Sequence, residues 1–301
     1  MNLLIGVDGG GTKTELILVD SAGAIVATHL APGCNPSQVG PDQARTLIAG
    51  ALAALRAKVP AGTVQRTLLC MAGSPLFWSE FAATLSGYGR VSTADDSLPV
   101  LELATGGRPG LVLHAGTGSF VAARAPDGSI HYAGGLGWKF GDPGSGFDLG
   151  RRGLGVAPLE LQARPAGAAL SPLAAALCAH TGLADYAANS RHFYTDPAAN
   201  ATIAAFAPRV LELAEADCGP AQQVVADSIT DFARQADDVI HGLFPRPAAK
   251  LPCGISGKIL NSAPAVFALH SLAGKLSWPV ELHFLDTAPI EGVRRLLLAG
   301  R

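Results

Sequence analysis

After the apolar run at 3–7 and a stretch of glycines, the segment ELILVDSAGAIVATHL follows an alternating pattern that a small turn interrupts. A period of two, rich in β-branched residues, is typical of strands that bury one face. We therefore expect strands at 3–8, 15–19 and 24–29, joined by a glycine turn and by a turn at Ser21-Ala22-Gly23. These positions are predicted to form an antiparallel three-stranded unit.

Beyond residue 40 the pattern changes repeatedly between helical and strand periods. Residues 43–58 repeat apolar positions at helical spacing, and residues 170–241 are Ala-rich and mainly helical, with breaks at Thr181-Gly182, Asp196-Pro197 and Gly219-Pro220. The other predicted elements are a buried strand in RTLLCMAGS, a strand and helix in RVSTADDSLPVLELATGG, a strand, glycine loop and helix in LPCGISGKIL, a strand in VELHFL and a helix at 290–299. This mixture predicts an α/β fold.

The opening strand unit occurs a second time. A shift of 105 residues superimposes Gly11 on Gly116 and Thr12 on Thr117, and it matches the flanking strands and turns in equal register. Duplication of a whole supersecondary unit is informative about architecture. Two such hairpins facing each other would clamp a polyphosphate, although chance similarity of two hairpins remains the alternative.

The stretch GVDGGGTKT resembles a Walker A loop but differs from it in two ways. A Thr stands between Gly11 and Lys13, and a strand rather than a helix follows, whereas a P-loop needs a helix N-terminus. Consecutive glycines can still direct backbone N–H groups at an anion, and Thr12 and Thr14 add hydroxyl donors. A plain hairpin turn is the alternative. The phosphate-binding residues predicted in the two hairpins are Gly10, Gly11, Thr12, Lys13, Gly116, Thr117 and Gly118.

Composition excludes several classes of function. The 301 residues are 49% hydrophobic and 15% charged, carry a net charge of −2 and contain no Lys/Arg block. We therefore expect no nucleic-acid or anionic-membrane surface and, without a long apolar run or a signal-peptide layout, no membrane span or export. The five cysteines are scattered without zinc-site spacing, which predicts reduced thiols in a cytoplasmic protein.

Three acidic residues follow predicted strands, where α/β proteins commonly carry functional groups. Asp8 is positioned to bind Mg²⁺ through water, with a turn-capping Asp as the alternative. Asp95 and Asp96 stand between a strand and a helix, and capping of that helix is the alternative to a catalytic role.

Seven motifs resemble the N-acetylglucosamine/glucosamine kinase family, which belongs to the BadF/BadG-type ATPase group of the actin-like ATPase superfamily. In order they are GVDGGGTKT, CNPS, MAGS, HAGTGS, GGLGWKFGDPGSGFDLGRRGL, GISGK and PIEGV, and they extend over nearly the whole chain. The resemblance implies two ribonuclease H-like domains of actin or sugar-kinase type with a nucleotide cleft between them. We expect these domains at 1–115 and 116–288, with the terminal helix 289–301 packing back on the first.

The resemblance also implies roles for individual residues. Asp96 is the expected catalytic base, because it lies twenty positions before Gly116. Asn35, which a plain Asx-turn would also explain, is expected to hold sugar hydroxyls. The other residues expected to contact the sugar are Gly134, Gly135 and Asp142, with Asp96 itself. Those expected to lie over the adenosine are Gly254, Ser256 and Gly257. Pro143 and Ser97-Leu98-Pro99 depart from the family pattern, which affects expectations of sugar selectivity and of the backbone near Asp96.

The activity implied by the resemblance is transfer of the γ-phosphate of ATP, with Mg²⁺, to the 6-hydroxyl of glucosamine or N-acetylglucosamine. An ATPase that drives electron transfer in a dehydratase or reductase is the first alternative, although its bridging iron–sulfur cluster requires paired cysteines. A non-catalytic sugar sensor is the second. The expected partner is a small amino sugar, and a homodimer formed through the Ala-rich helices is left open.

Overall fold

The computed structural model describes residues 2–165 and 168–300. The chain divides into two compact units. The first unit runs to Gly107 and includes the segment from Leu285 onward, and the second unit is Arg108–Phe284. Among the described residues no helix is both long enough and apolar enough to cross a membrane.

Each unit contains one five-stranded sheet. The strands are β1 Asn2–Gly9, β2 Lys13–Asp20, β3 Ile25–Pro32, β4 Thr63–Met71, β5 Arg90–Asp95, β6 Gly110–Ala115, β7 Ser119–Arg124, β8 Ile130–Gly134, β9 Leu251–Ser256 and β10 Val280–Phe284. The orders are β3-β2-β1-β4-β5 and β8-β7-β6-β9-β10. In both sheets the first three strands pair antiparallel and the last two are parallel, so the predicted hairpin repeat is part of a larger duplicated topology.

The helices connect and cover these sheets. They are α1 Pro36–Val39, α2 Pro41–Ala57, α3 Pro75–Thr84, α4 Ser97–Thr105, α5 Gly146–Ala163, α6 Pro172–Thr181, α7 Tyr186–Thr195, α8 Ala199–Ala205, α9 Ala207–Glu215, α10 Gly219–Leu243, α11 Ala263–Lys275 and α12 Pro289–Leu298. The helix expected directly after GISGK begins only at Ala263, because the preceding residues turn back and Ile259 N–H donates to Ala115 O at 3.1 Å.

The two hairpins differ in register by one residue. In the first hairpin Gly9 pairs with Thr14 across a four-residue loop, whereas in the second Ala115 pairs with Ser119 across a three-residue loop. The 105-residue shift aligns the two sequences, but the strand pairing of the second hairpin is displaced by one residue relative to the first. The expectation of equal register is therefore wrong by one position for the pairing.

The first sheet is covered on both faces, whereas an alternating pattern predicts one buried face. Alternate β1 residues Leu3, Ile5 and Val7 belong to a core with α2 and α3. On the other face, β4 packs with α12, which also lies against α4. Gly292 permits the close approach of α12 to α4, because a Cβ there would lie 2.1 Å from Pro99 O.

The boundary between the units lies before β6. The expected boundary after residue 115 would assign β6 to the first domain, whereas β6 is the central strand of the second sheet, hydrogen-bonded to β7 and β9. The core of the second unit is one cluster that joins this sheet to the Ala-rich helices, with Phe206 and Phe232 fully buried.

Candidate functional site

The first glycine loop is held tightly on one side. Gly10 N–H donates to Lys13 O at 3.0 Å, and Cys34 N–H donates to Gly10 O at 3.1 Å. The chain after β3 presses against this loop so closely that a Cβ on Gly33 would lie 1.9 Å from Gly11 O. The glycines therefore permit backbone packing, and the outer side of the loop carries the exposed Thr12 and Lys13.

The side chains of this loop do not all remain available to a ligand. Lys13 Nζ lies 2.6 Å from Glu15 Oε2, so its charge is already paired at the protein surface. Thr14 is buried, and its hydroxyl donates to Pro32 O at 2.8 Å. The suggestion that Thr14 adds a phosphate donor is therefore wrong, while Thr12 keeps its predicted role.

Asp8 lies at the end of β1, where it pairs with Glu15 on β2 and with Cys70 on β4. Burial, reinforced by the charge of Glu15 and opposed by Lys13, raises the pKa of Asp8 to about 6. A carboxylate whose ionised form is disfavoured in this way would gain from a bound cation.

Asp95 and Asp96 have different roles in the local structure. One carboxylate oxygen of Asp95 accepts the Ser97 N–H at 2.9 Å and the Ser97 hydroxyl at 2.5 Å, which stabilises the start of α4. Asp96 occupies the N-cap position but makes no side-chain capping hydrogen bond. Burial, with the charges of Asp95 and Asp8, raises the pKa of Asp96 to about 7. Helix capping therefore explains Asp95 and does not explain Asp96.

Asp8 and Asp95 lie at the same edge of the first sheet. The parallel register pairs Asp8 with Cys70 and Met71 with Asp95, so the two acids stand at the carboxyl ends of β1 and β5, on either side of β4. Neighbouring strands are about 4.8 Å apart, which separates the Asp8 and Asp95 backbones by roughly 10 Å. That spacing accommodates a hydrated cation or a reacting hydroxyl group in the same region.

Asn35 begins α1 and caps it. Its Oδ1 accepts the Ser37 N–H at 3.0 Å and the Ser37 hydroxyl at 2.9 Å. The loop of MAGS lies against the same atom, since a Cβ on Gly73 would be 2.9 Å from Asn35 Oδ1. The amide oxygen is thus used internally, which leaves the NH₂ group to contact the sugar hydroxyls that Asn35 is expected to hold.

The second glycine loop is tied to the start of α5. Gly116 N–H donates to Gly118 O, and Gly146 N–H donates to Gly116 O, both at 2.8 Å. A Cβ on Gly118 would lie 3.2 Å from Asp142 Oδ2, so this loop and the predicted sugar-binding carboxylate are neighbours. Thr117 is exposed at the tip, as is its counterpart Thr12.

The segment from Gly134 to Gly146, here called the sugar loop, has an irregular backbone. Gly134 and Gly135 adopt φ values of 73° and 67°, and Gly135 N–H donates to Ser119 O at 2.9 Å. Asp142 has a φ of 41°, is 7% exposed and accepts the Gly137 N–H at 3.0 Å. Burial raises the pKa of Asp142, against that hydrogen bond, and the charge of Asp148 raises it further.

Three residues at this loop were missed by sequence reasoning. Asp148 is 1% exposed and forms ion pairs with Arg151 and Arg152, a pattern that i+3 and i+4 spacing in FDLGRR could have indicated. Ser228 and Gln235 lie on α10, far away in the chain, and no local signal identifies them. Gln235 Oε1 is buried without a hydrogen-bond partner among the described residues and lies 3.0 Å from the position of a Cβ on Gly134.

The residues predicted to cover the adenosine form a compact group at the end of β9. Gly254 pairs with Val112 inside the sheet. Gly257 has a φ of 92°, and a Cβ there would lie 2.1 Å from Ala115 O, so both its backbone conformation and its surroundings require glycine. Ser256 Oγ lies 3.2 Å from His114 Nδ1, so its hydroxyl has an internal partner. Their adenosine role stays a prediction.

The cysteines and the metal-binding side chains show no cluster. All five cysteines are free thiols, and four of them are buried. Across residues 2–165 and 168–300 no group of three or more His, Cys, Asp or Glu side chains is arranged to hold a metal ion. The described cysteines therefore offer no support for the iron–sulfur alternative.

Comparison with known proteins gives several relatives, among them N-acetylglucosamine kinases. N-acetyl-D-glucosamine kinase of Dictyostelium discoideum is 32% identical over 164 residues, which cover 49% of this chain and 51% of that protein. The chain spans about half the length of the curated relatives it matches. The crystal structure of a candidate N-acetylglucosamine kinase from Chromobacterium violaceum has a TM-score of 0.76 at 29% identity, covering 98% of both chains. A candidate N-acetylglucosamine kinase from Porphyromonas gingivalis has a TM-score of 0.73 at 22% identity, covering 98% of this chain and 99% of that one, and supports the fold alone.

These structures confirm the predicted α/β fold with two ribonuclease H-like units. The family-level match extends over most of the sequence and includes both glycine loops, the two adjacent acids and the sugar loop. Because the family model of the BadF/BadG/BcrA/BcrD ATPases matches residues 5–275, the chain belongs to the BadF/BadG/BcrA/BcrD ATPase family.

Proposed function

We propose that this protein is an ATP-dependent amino-sugar kinase that phosphorylates the 6-hydroxyl of N-acetylglucosamine or glucosamine. The observation that carries the proposal is Asp96, a half-buried carboxylate directly after β5 that makes no capping hydrogen bond to the following helix. Similarity to a candidate N-acetylglucosamine kinase over 98% of both chains supports the substrate class.

Asp96 is the proposed proton acceptor for the sugar hydroxyl. Phosphoryl transfer passes through a loose transition state, so the base takes the proton late and acts mainly by positioning the nucleophile. A base is most effective when its pKa lies near the working pH, and burial raises the pKa of Asp96 to about 7. Its partner Asp95 meanwhile fixes the local backbone through Ser97.

Mg²⁺ fits the chemistry of Asp8. The site offers one half-buried carboxylate with a raised pKa, and Mg²⁺ typically binds one or two carboxylates while keeping several waters. When bound, the ion would neutralise charge on the phosphates of ATP. Asp8 would hold it and orient its water shell, since no larger ligand cluster exists among the described residues.

The two glycine loops are the proposed phosphate contacts. Thr12 and Thr117 are exposed at the loop tips, whereas Thr14 and Ser119 are buried with internal partners. The proposed sugar contacts are the Asn35 amide, Asp142 and the backbone at Gly134 and Gly135. Asp142 Oδ1 accepts the Gly137 N–H, so Asp142 would accept a hydrogen bond from a sugar hydroxyl through Oδ2. Free, mostly buried thiols agree with a proposed cytoplasmic location.

A coupled assay of ADP release across hexoses and hexosamines tests the function. We expect turnover that requires an amino sugar, with product analysis giving the 6-phosphate. Asp96→Asn should lower kcat by at least about a hundredfold, within the usual contribution of a general base. Asp42→Asn, at a fully exposed position of the same unit, is the matched control and should stay within about twofold of the wild type. Sugar-independent ATP hydrolysis, or unchanged turnover in Asp96→Asn, would overturn the proposal.

A further inference from the structure

Asp142 is held in a backbone conformation that it would not adopt alone. Its φ of 41° lies in the left-handed region, which non-glycine residues seldom occupy unless the surroundings impose it. The next residues turn sharply: Ser145 N–H donates to Asp142 O at 3.1 Å. Contacts made by the residues after Asp142 must therefore stabilise this conformation of the sugar loop.

Ser228 on α10 supplies that fixed point. Its hydroxyl accepts the Gly144 N–H at 3.1 Å and donates to Asp148 Oδ2 at 2.7 Å. Ser228 is 0% exposed and Asp148 is 1% exposed, so solvent does not compete for these bonds. Phe232, one turn along the same face of α10, stands 2.9 Å from the position of a Cβ on Gly144. Gly144 is thus held by both a hydrogen bond and a close packing contact.

The charge of Asp148 is balanced by two arginines. Arg152 Nε bonds Asp148 Oδ2, and Arg151 bonds Asp148 Oδ1, both at 2.8 Å. Arg152 also reaches Asp231 on α10 at 2.6 Å, which links α5 to α10. Asp148 is buried, while Arg152 and Arg151 keep 22% and 52% of their side chains exposed. Ion pairs with a buried member add little net stability compared with apolar packing, so a role in fixing one conformation is the better account of them.

We propose that Ser228, Asp148 and Arg152 form a positioning cluster that holds Asp142 ready for the sugar and thereby sets sugar affinity. This inference rests on the proposed function, because it takes Asp142 as a sugar contact. None of the three touches the reacting atoms. They act through Gly144, two residues from Asp142, and through Ser145, whose hydroxyl accepts the Asp148 N–H at 3.1 Å.

The chain contains a matched pair of arginines for the test. Arg152 and Arg234 both bond Asp231 at 2.6 Å, but Arg152 also bonds Asp148, while Arg234 is 71% exposed. Arg152→Met therefore removes the link to the cluster, and Arg234→Met removes only a surface ion pair. Ser228→Ala is the mildest change at the centre and decides the matter if Arg152→Met does not fold.

The first measurement is amide hydrogen exchange of Gly144 and its neighbours in the unliganded protein. Ser228→Ala and Arg152→Met should exchange at least about tenfold faster here, as expected for loss of a buried hydrogen bond, and Arg234→Met should match the wild type. Unchanged exchange in Ser228→Ala would overturn the positioning role. This result does not depend on the enzyme's substrate.

The second measurement is steady-state kinetics with the best hexosamine of the wild-type panel. In Ser228→Ala and Arg152→Met the KM for the sugar should rise about tenfold or more, while kcat and the KM for ATP stay within about twofold. Faster exchange with an unchanged sugar KM would overturn the link to affinity. If the wild type phosphorylates no sugar, the proposed function and that link both fail, while the exchange result still decides whether the cluster fixes the loop.

Discussion

Asp95 binds Ser97 through one carboxylate oxygen, which accepts both the backbone N–H at 2.9 Å and the hydroxyl at 2.5 Å. We expect Asp95→Ala to lower the free energy of unfolding by about 1 kcal/mol, the usual cost of losing a capping side chain. The variant should keep much more activity than Asp96→Asn, because Asp95 acts on the backbone. Urea denaturation and ADP-release kinetics check both parts, and equal kinetic losses in the two variants would contradict this division of roles.

Asp96→Asn should stabilise the unliganded protein at neutral pH. In the folded state the pKa of Asp96 is raised from 3.8 to about 7. As pH rises through that window the free energy of unfolding falls, because the unfolded chain loses the Asp96 proton more readily than the folded chain does. The amide removes that cost, so the variant's thermal midpoint should exceed the wild type's at pH 8 and match it near pH 4. Thermal melts at both pH values measure this, and a lower midpoint at pH 8 would show that Asp96 has a stabilising partner.

His114 should contribute a loss of stability as pH falls from 6.5 to about 4. Burial lowers the pKa of His114 from 6.5 to about 4, and its ring stacks on Phe120 with centroids 4.8 Å apart. Between these values the unfolded chain binds a proton that the folded chain does not, so stability falls as pH falls, by about 3 kcal/mol in total.

Urea denaturation between pH 7 and pH 4 tests the role of His114. His114→Gln should lose this part of the pH dependence, and His283→Gln, at a half-exposed position of the same unit, should retain it. Identical slopes in wild type and His114→Gln would mean that His114 is protonated in the folded protein.

Gly33→Ala should impair ATP binding at a distance from the phosphates. A Cβ at this position would lie 1.9 Å from Gly11 O, so the glycine loop must shift. We expect the KM for ATP to rise by about tenfold or more, as for other misplacements of a binding loop. Gly50→Ala is the control: its Cβ meets nothing within 4 Å on α2, and it should stabilise the helix by about 0.5–1 kcal/mol without changing the KM. An unchanged KM in Gly33→Ala would show that this loop does not hold the nucleotide.

Gln235→Met should raise the free energy of unfolding by about 1 kcal/mol, because it removes a buried oxygen without a hydrogen-bond partner among the described residues. Gln223→Met on the same helix is the control, since it loses the hydrogen bond to Asp227 at 2.7 Å and should be neutral or slightly destabilising. Chemical denaturation of both variants provides the comparison. Destabilisation by Gln235→Met would indicate a bound water or another donor at Gly134.

Local patterns predicted the elements of this fold well because its strands are short apolar runs and its turns carry glycine. Leu3, Ile5 and Val7 face one core while Leu4 faces the other, so the apolar run was enough to identify β1. The assignment of β6 required knowledge of its partners. Its pairing with β9 joins residues 142 positions apart, such as Leu111 and Cys253, and no local signal carries that information.

The candidate site divides in the same way. Asp8 and Asp96 could be identified because each follows a strand or matches a family motif. Two internal hydrogen bonds could not be predicted: Ser37 N–H donates to Asn35 Oδ1, and the Thr14 hydroxyl donates to Pro32 O. Residue type alone does not tell which polar groups already have a partner within the protein. Ser228 was missed because it lies 84 positions after Gly144 in the sequence, and only the packing of α10 brings the two residues together.

The position of α12 also determines the order in which the two units complete. The second unit is an insertion within the first, and Val293, Leu296 and Leu297 cover Leu68 and Cys70 on the first sheet. During synthesis Arg108–Phe284 emerges before α12, so the inserted unit can finish its core while the first still exposes apolar surface. The first unit, although its synthesis begins first, is therefore the last to bury its apolar surface and the longest exposed to aggregation.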